Sequence, residues 1–555
     1  MDNNVTIKCL NNSKVLQVKR GTSLFDAIGI FDIKLGNRIL GALVNNELED
    51  LAYEIYQPKT IQFIDITHPD GMRMYTRSLS FLLYKAVKEL YPDARLIIDH
   101  SIAKGIFCKI TGTDFELTDE AVSAILDKMR FYVKADFKFI RIIEETQDVI
   151  KKITEQGLYD KINLLKFRGR SYKSYYILDG CINFFYGYLV PSTSYINVFE
   201  LNRYFDGMLL RLPKKNNPDE VEELTVQKKM FTVFQEFSQW NEILQVSNLS
   251  ELNDLTFKGK SETLIKISEA LHEKKIAQIA DVIHSRKDKI KIILISGPSS
   301  SGKTTFSKRL AIQLLVNGIK PLNISLDNYF VDREKTPRTP SGDYDFEAFE
   351  AIDVDLFNQQ IAELLNGKKV ILPKFSFENG KKSFNTEPIE MKPDNILIIE
   401  GIHGLNPKLT PLIPEESKFM IYISALTTLN IDDHNWVSTR DNRLIRRIVR
   451  DYRYRKYTAQ ETIARWPSVI EGEEKHIFPF QEKANVIFNS ALVYELAVLK
   501  YYADPLLREI QQCQPEYSEA KRLLNFLSYF RPIKTWEIPP TSILREFLGG
   551  SSFSY

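Results

Sequence analysis

Cysteine, long apolar runs and net charge are what this sequence of 555 residues has little of. Its four cysteines include no Cys-x-x-Cys pair, which argues against a disulfide framework and against a zinc cluster. No apolar run reaches the roughly 20 residues of a membrane helix, and MDNNVTIKCL lacks the basic and apolar segments of a signal peptide. We therefore expect a cytoplasmic protein that does not enter a membrane.

An excess of charge of one sign is also missing. The chain has 74 basic and 72 acidic residues, and a net charge of +2 does not indicate a nucleic-acid-binding protein, although a local basic face is compatible with it. With 44% hydrophobic and 26% charged residues, the composition is that of a folded globular protein. The length predicts about three to five domains.

Changes of pattern along the chain predict five regions. Residues 1–66 alternate short β-patterned runs with turns, and residues 67–210 mix strand and helix patterns. Residues 211–288 read as a mostly helical connector, and in residues 289–499 apolar strands alternate with helices, which is typical of a parallel sheet. Residues 500–555 form a helical and then extended tail, which we expect to pack on the preceding region or on another subunit. The predicted fold class is multidomain α/β and α+β.

The segment IILISGPSSSGKTT, residues 292–305, is an apolar strand that runs into GxxxxGKT, and an amphipathic helix pattern follows it. Backbone N–H groups of such a loop and helix point at phosphate oxygens. Lys303 would reach the β- and γ-phosphates, and the Thr304 hydroxyl would bind Mg²⁺. We predict a site for ATP and Mg²⁺. Its nucleotide-binding residues are Gly297, Ser299, Ser300, Ser301, Gly302, Lys303, Thr304 and Thr305.

Two later strand patterns end in carboxylates. PLNISLDNYF places Asp327 after one strand, and NILIIEG places Glu400 at the end of another. Because ligands of doubly wound sheets bind beyond the carboxyl ends of the strands, both should face the phosphate loop. Either can hold Mg²⁺, and Asp327 can take a proton from an attacking hydroxyl. The alternative for each acid is that it caps the following helix.

The segment TRDNRLIRRIVRDYRYR is rich in arginine at helical spacing. Such a row could close over the γ-phosphate as a lid and neutralise charge there. The alternatives are a solvated basic helix and an RNA-contacting face. Its position after the strand pattern FMIYIS favours the lid. The arginines concerned are Arg443, Arg446, Arg447, Arg450, Arg453 and Arg455.

In this order, GPSSSGKTT, LDNYF, DYDFEAF, LPKFSF, ILIIEGIHGL and RRIVRDYRYR resemble the motifs of the uridine kinase and phosphoribulokinase family over roughly residues 290–490. The resemblance implies a P-loop kinase that phosphorylates a sugar hydroxyl, in uridine kinases the 5′-hydroxyl of a nucleoside. It implies that Asp327, Lys303, Arg450 and Arg455 are catalytic, and that Thr304, Asp327 and Glu400 hold Mg²⁺. The residues it implies for the acceptor are Phe330, Phe346, Glu347, Phe375 and Arg447. His403 follows Glu400 in the expected cleft, where contact with the acceptor and local hydrogen bonding are the two alternatives.

The base pocket departs from the family pattern. Uridine kinases place a tyrosine where this chain has Phe375 and a histidine where it has Gly380. Without these polar partners the rejection of other bases should relax, because such selectivity rests on buried hydrogen bonds. A kinase for another small hydroxylated metabolite, like phosphoribulokinase or pantothenate kinase, is therefore one alternative. A nucleotide-switched RNA-binding protein is a second, against which the small net charge weighs.

The front of the chain carries a different resemblance. GTSLFDAI and GALVNNELEDLAYEI, within residues 1–66, resemble the β-grasp TGS module of threonyl-tRNA synthetases, and residues 67–210 resemble the second additional, editing domain of those enzymes. Editing there uses a His-x-x-x-His pair and a Cys-x-x-x-His pair. The matching positions here are Arg77, Phe81, Phe185 and Leu189.

None of these four side chains is a zinc ligand or a proton-transfer histidine, so we expect no editing chemistry. One interpretation is an apolar pocket with a single cation that suits a small anionic effector. Binding of structured RNA and assembly into a homo-oligomer are further possibilities for the front half, and we predict a homo-oligomer.

Overall fold

The computed structural model describes residues 3–112, 115–339 and 342–554. Its first sheet has the strand order β2-β1-β7-β4-β5, in which β1 and β7 are parallel and the other neighbours antiparallel. Alternate residues of β1 are buried, as expected for a strand with one face on a core. The elements are β1 Asn4–Cys9, β2 Val15–Lys19, β3 Thr22–Ser23, α1 Leu24–Phe31, β4 Gly41–Val44, β5 Glu47–Glu49, β6 Glu54–Ile55 and β7 Lys59–Ile64.

The second region wraps two sheets, β13-β14-β9-β8 and β10-β11-β12, around a long helix, α2. Side chains of α2 share one core with residues from α3, β9 and β11. His68 caps α2 by accepting the Asp70 N–H, 3.1 Å away. The elements are α2 Pro69–Leu90, β8 Arg95–Ile102, β9 Gly105–Thr111, α3 Asp119–Ala135, β10 Ile140–Glu145, α4 Thr146–Glu155, α5 Tyr159–Arg168, β11 Tyr172–Leu178, β12 Cys181–Asn183, β13 Glu200–Tyr204 and β14 Gly207–Arg211.

The helices predicted for residues 211–288 are α6 Lys228–Leu244, α7 Leu249–Phe257 and α8 Ser261–His284. They do not form an exposed linker. Ile276 and Ile283 of α8 lie in the same buried cluster as side chains of the following region, because the apolar stripe of α8 packs on the helix that follows the phosphate loop.

The last large sheet has the strand order β16-β19-β15-β20-β23, and all its described pairs are parallel. This confirms the predicted C-terminal parallel sheet. All five residues of the central strand β15 are buried, as expected where helices cover both faces. The elements are β15 Ile292–Ser296, α9 Lys303–Val316, β16 Lys320–Ser325, α10 Val354–Leu365, β17 Pro373–Ser376, β18 Lys381–Phe384, β19 Asn395–Glu400, β20 Lys418–Ser424, β21 Asn430–Asp432, β22 Asn435–Trp436, α11 Thr439–Arg455, α12 Ala459–His476, β23 Val486–Asn489 and α13 Glu495–Arg508.

The hairpin of β21 and β22 joins this region to the second one. The Lys161 Nζ lies 2.6 Å from Asp432 Oδ1, and both side chains are fully buried. The Tyr186 hydroxyl donates to the other oxygen of Asp432 at 2.8 Å. Because an unpaired buried charge costs about 3–5 kcal/mol, this pair couples the two regions into one folded unit.

The tail contains α14 Tyr517–Leu527 and α15 Arg545–Leu548, and it packs on the kinase-like sheet region. Ile543, Leu544 and Phe547 of the tail are fully buried in the cluster that contains α9. Within the described ranges, no helix combines the length and apolar character needed to cross a membrane. The same residues contain no group of three or more His, Cys, Asp or Glu side chains placed to hold a metal.

Candidate active site

The loop of residues 297–302 leaves the central strand β15 and starts α9. Gly302 has a φ of 83° and Ser300 a φ of 59°, a left-handed conformation that is ordinary for glycine and strained for serine. A Cβ on Gly297 would lie 2.0 Å from the Ile423 carbonyl oxygen, so only glycine lets the loop pass β20. Among the described residues nothing hydrogen-bonds the buried hydroxyls of Ser300 and Ser301. The loop thus keeps donors for a ligand.

Lys303, the first residue of α9, lies among carboxylates. Its Nζ donates to the Pro298 carbonyl oxygen at 3.1 Å. Burial lowers the pKa of Lys303, and the negative charges of Glu400 and Asp327 oppose that shift. The lysine and both predicted acids therefore share one electrostatic site.

Glu400 ends β19 directly beside Ser325, which ends β16. The Ser325 hydroxyl donates to Glu400 Oε1 at 3.1 Å, and the Thr304 hydroxyl does so at 3.5 Å. Asp327 follows β16 by two residues in a turn of 3₁₀-helix. Burial and the charge of Asp327 raise the pKa of Glu400 to about 7. A divalent cation would relieve this repulsion, and hydroxyl and carboxylate oxygens are the donors that Mg²⁺ takes, so the residues fit that ion.

Two arginines predicted for the lid do not line the cleft. Arg443, 1% exposed, holds Glu473 through two 2.8 Å hydrogen bonds from one guanidinium nitrogen. Arg446, fully buried, donates to the Ser490 carbonyl oxygen at 2.9 Å and pairs with Glu495. Arg443 and Arg446 can lie in the core because ion pairs compensate charges that water would otherwise solvate. The helix is therefore fixed, and the arginines that reach the cleft come from its C-terminal half.

Arg447, Arg450 and Arg455 surround one buried acid, Asp451. The Nε of Arg447 lies 3.2 Å from Asp451, a nitrogen of Arg450 2.9 Å, and the Nε of Arg455 3.7 Å. Arg447 also donates to the Ser299 hydroxyl of the phosphate loop at 2.9 Å. These cations outweigh burial and lower the pKa of Asp451. Sequence reasoning missed this acid, although its i, i+4 spacing from Arg447 could have indicated it.

An aromatic wall begins at Phe330, three residues after Asp327. The Phe330 ring centroid lies 5.7 Å from that of Phe375 and 6.4 Å from that of Phe346, and Phe377 adds a fourth ring 5.2 Å from Phe375. The structure thus brings three predicted acceptor residues together. Phe377 was not predicted, because a single aromatic residue in a turn carries no sequence signal.

Gly380, where uridine kinases have a histidine, is covered by Arg333. A Cβ there would lie 2.7 Å from the Arg333 Nε, and the glycine has a φ of 66°. The Arg333 backbone N–H also donates to the Gly380 carbonyl oxygen at 2.8 Å. The guanidinium of Arg333 therefore lies beside this position, a contact that the sequence did not indicate.

Glu347 and His403 differ in their surroundings. The Glu347 Oε2 is buried without a hydrogen-bond partner among the described residues, and burial raises the pKa of Glu347 to about 7 against the pull of Arg447. His403 packs against the rings of Phe349, at 5.4 Å, and His476, at 6.0 Å. Burial lowers the pKa of His403 to about 4, so its imidazole is neutral at pH 7.

The four front positions, which match the editing residues of the synthetases, are Arg77, Phe81, Phe185 and Leu189. Three of them lie together in the packed core. The Phe81 and Phe185 ring centroids are 5.5 Å apart, and exposures of 0% and 5%, with 2% for Leu189, place all three in the core. The Arg77 Nε donates to the Tyr188 carbonyl oxygen at 3.1 Å. The expected effector pocket at these positions is wrong, because large apolar side chains fill the space that the family's histidines and cysteine would occupy.

Comparison with known proteins divides the chain in the same way. Residues 292–497 match the model of the Phosphoribulokinase / Uridine kinase family. The uridine kinase of Ligilactobacillus salivarius is 28% identical over 204 residues, which are 37% of this chain and 86% of that protein. The threonine--tRNA ligase of Clostridium kluyveri is 25% identical over 265 residues, 47% of this chain and 40% of that enzyme. The C-terminal region thus matches this family of kinases, and the N-terminal part is similar to threonyl-tRNA synthetases. The chain spans less than half the length of the synthetase that it matches.

A solved structure named "Possible Uridine Kinase", from Bacillus stearothermophilus, is 21% identical and covers 38% of this chain and 97% of its own, with a TM-score of 0.25. A score this low does not establish a shared fold. The kinase fold rests instead on the parallel strand order and on the family match.

Proposed function

We propose that this protein transfers the γ-phosphoryl group of ATP to a hydroxyl of a small molecule, and that the acceptor is the 5′-hydroxyl of a uridine- or cytidine-like nucleoside. The observation that carries the proposal is the meeting of Thr304, at the start of α9, with Ser325 and Glu400, which end adjacent parallel strands. The half-buried Lys303 belongs to the same site. Open parallel sheets bind their ligands at this edge.

The loop of residues 297–302 and the first turn of α9 would hold the triphosphate. Lys303 would neutralise its charge, and the unpaired hydroxyls of Ser300 and Ser301 would donate to its oxygens. Thr304, Asp327 and Glu400 would hold Mg²⁺, which, when bound, neutralises charge on the β- and γ-phosphates. Two carboxylates suffice, because Mg²⁺ in such sites completes its shell with water and phosphate oxygens.

Asp327 would orient the acceptor hydroxyl and accept its proton as the oxygen attacks the γ-phosphorus and ADP leaves. Arg447, Arg450 and Arg455, clustered on Asp451, would stabilise the charge on the transferring group. The wall of Phe330, Phe346 and Phe375 would stack on the acceptor, with Glu347 accepting from its hydroxyls.

One observation favours a second acceptor class. Arg333 stands beside Gly380 and the ring at position 375 has no hydroxyl, so the polar partners of a pyrimidine are missing and a cation is present. That pair of features suits a hydroxylated metabolite that carries a negative charge, such as a sugar phosphate.

For the front half, we propose that residues 1–210 keep a synthetase-like fold without editing chemistry and serve as a binding or regulatory region. Support comes from the similarity to threonine--tRNA ligases and from the apolar packing of Phe81 and Phe185. A second support is the buried Lys161–Asp432 pair, through which a change in this region would reach the kinase domain.

The deciding experiment incubates the full-length protein with ATP, Mg²⁺ and single acceptors, and follows ADP release and product mass. The panel holds uridine, cytidine, the purine nucleosides, ribulose 5-phosphate and pantothenate. We expect one nucleoside to raise ADP release well above ATP alone, and Lys303→Met to remove that increase, while Lys320→Met, an exposed lysine of β16, keeps it. Turnover only with the sugar phosphate would favour the second class, and no acceptor-dependent turnover would reject kinase function.

A further inference from the structure

The tail of the chain reaches the phosphate loop. The family match ends at residue 497, yet Ile543 Cγ2 lies only 2.6 Å from where a Cβ on Gly302 would stand. The Arg446 guanidinium lies 5.0 Å from the centre of the Phe547 ring. The Lys308 Nζ of α9 donates to the Ser554 carbonyl oxygen at 2.5 Å. Residues 538–554 therefore form one wall of the nucleotide site.

Glu546 on this wall occupies hydrogen-bond donors at the start of α9. Its Oε2 accepts from the Thr305 hydroxyl at 2.7 Å and from the Thr305 N–H at 3.2 Å. Thr305 belongs to the first turn of α9, whose N–H groups lack helical partners and favour anions. The charge of Glu546 also acts inside the site, because it opposes the lowering of the Lys303 pKa by burial and adds to the raised pKa of Glu400.

Glu473 also accepts a backbone N–H of the phosphate loop, but its charge is compensated, unlike that of Glu546. Glu473 Oε1 accepts the Ser299 N–H at 2.9 Å, but both of its oxygens are held by the buried Arg443. The charge of Glu473 is thus neutralised in place. In the described part of the chain Glu546 forms no such ion pair, so its charge is the one that a phosphate would meet.

Displacement of the whole tail is not the way in which the Thr305 donors become free for a phosphate. Ile543, Leu544 and Phe547 are fully buried, and exposing three large apolar side chains costs far more than rotating one glutamate. The backbone of the wall therefore stays, and only the carboxylate can turn aside.

We propose that Glu546 is a residue of the nucleotide site that sets nucleotide affinity. In the ligand-free protein its carboxylate takes the Thr305 donors, and binding of a nucleotide must break both hydrogen bonds and place a phosphate next to this negative charge. This inference rests on the proposed function, and adds a residue from outside the kinase domain to its nucleotide site.

The test measures the Kd of ADP with Mg²⁺ by calorimetry on full-length variants. Glu546→Gln keeps the shape and an oxygen for the Thr305 hydroxyl but removes the charge, so we expect binding roughly tenfold tighter, within the range of charge effects at helix ends. Glu546→Ala should act in the same direction. Glu509→Gln makes the same charge change at an exposed position on the end of α13 and should leave the Kd at the wild-type value.

The gain should shrink at high salt, because it is electrostatic. Folding of each variant is checked by thermal unfolding. Binding by Glu546→Gln that equals or falls below that of the wild type, in protein that still binds ADP, would overturn the inference alone. Failure of the wild type to bind ADP, together with no acceptor-dependent ADP release, would overturn the proposed function and this inference with it.

Discussion

The front positions and the kinase site differ in what occupies their interior: apolar side chains in the first and carboxylates in the second. In the N-terminal part, Phe81, Phe185 and Leu189 fill a core, and none of these three side chains carries a carboxylate or a thiol. In the kinase site, Glu347 and Glu400 are half-buried acids, and desolvation raises the pKa of each to about 7. Packed apolar side chains stabilise a fold, whereas buried charges destabilise it until a ligand compensates them. The difference indicates where chemistry has been retained in this chain.

The largest effect should come from removing the proposed base. Asp327→Asn keeps the size of the side chain but not its ability to accept a proton, so we expect kcat to fall by about 10²–10⁴-fold with little change in the Kd of ADP. Rapid-quench kinetics with the identified acceptor measure this. Asp355→Asn, at an exposed position of α10, is the matched control. Normal kcat in the Asp327 variant would show that this residue does not take part in the mechanism. It would also weaken the distinction between a catalytic C-terminal region and a structural N-terminal core.

The front positions should respond in the opposite way. Phe81→Ala removes a fully buried ring, and we expect the free energy of unfolding to fall by about 3–5 kcal/mol while kcat of the folded protein stays near the wild-type value. Urea unfolding followed by fluorescence gives the first quantity. Phe131→Ala, on the exposed side of α3, should cost less than about 0.5 kcal/mol. A loss of activity without a loss of stability would mean that the front position takes part in function.

The smallest effect concerns pH. The pKa of Glu400 is about 7 in the folded protein against an ordinary 4.5, so the stability it costs grows as pH rises from about 4.5 to 7 and is complete above 7. Glu400→Gln should therefore raise the free energy of unfolding of the ligand-free protein by about 1–3 kcal/mol at pH 8 and by almost nothing at pH 4.5.

The control for this prediction is Glu416→Gln, an exposed glutamate that should shift stability equally little at both pH values. Turnover of Glu400→Gln should fall although its stability rises, as expected for a residue that serves a ligand rather than the fold. Equal stability of Glu400→Gln and the wild type at pH 8 would mean that the acid is well solvated, and would weaken its role as a metal ligand.

Much of the kinase site could be predicted because its signals are local. The run IILIS followed by GPSSSGKTT predicts a strand, a loop and a helix, and the structure has β15, the loop and α9 in those places. The family match confirms a C-terminal kinase domain of the predicted kind. The individual roles of Asp327 and Glu400 stay predictions.

Other parts could not be predicted because their signals are not local. Arg443 and Arg447 look alike in the sequence, yet one is buried against Glu473 and the other contacts the loop. Helical spacing fixes which residues share a face, but the neighbours of that face decide whether a charge is buried. Likewise, the sequence predicts a mostly helical connector at residues 211–288, but it does not indicate that the apolar stripe of α8 packs beside α9.

The sequence by itself determined the phosphate loop, the strand-end carboxylates and the loss of editing residues, because each depends on residue type over a few positions. Only the tertiary structure decided that Glu473 contacts the loop and Glu546 the first turn of α9, that Arg333 covers Gly380 and that three arginines surround Asp451. Most of those contacts join segments that are far apart in the sequence, and the contacts of Asp451 involve only some of several arginines on one helix. Burial and charge where the segments pack, not the local pattern, determine which contacts form.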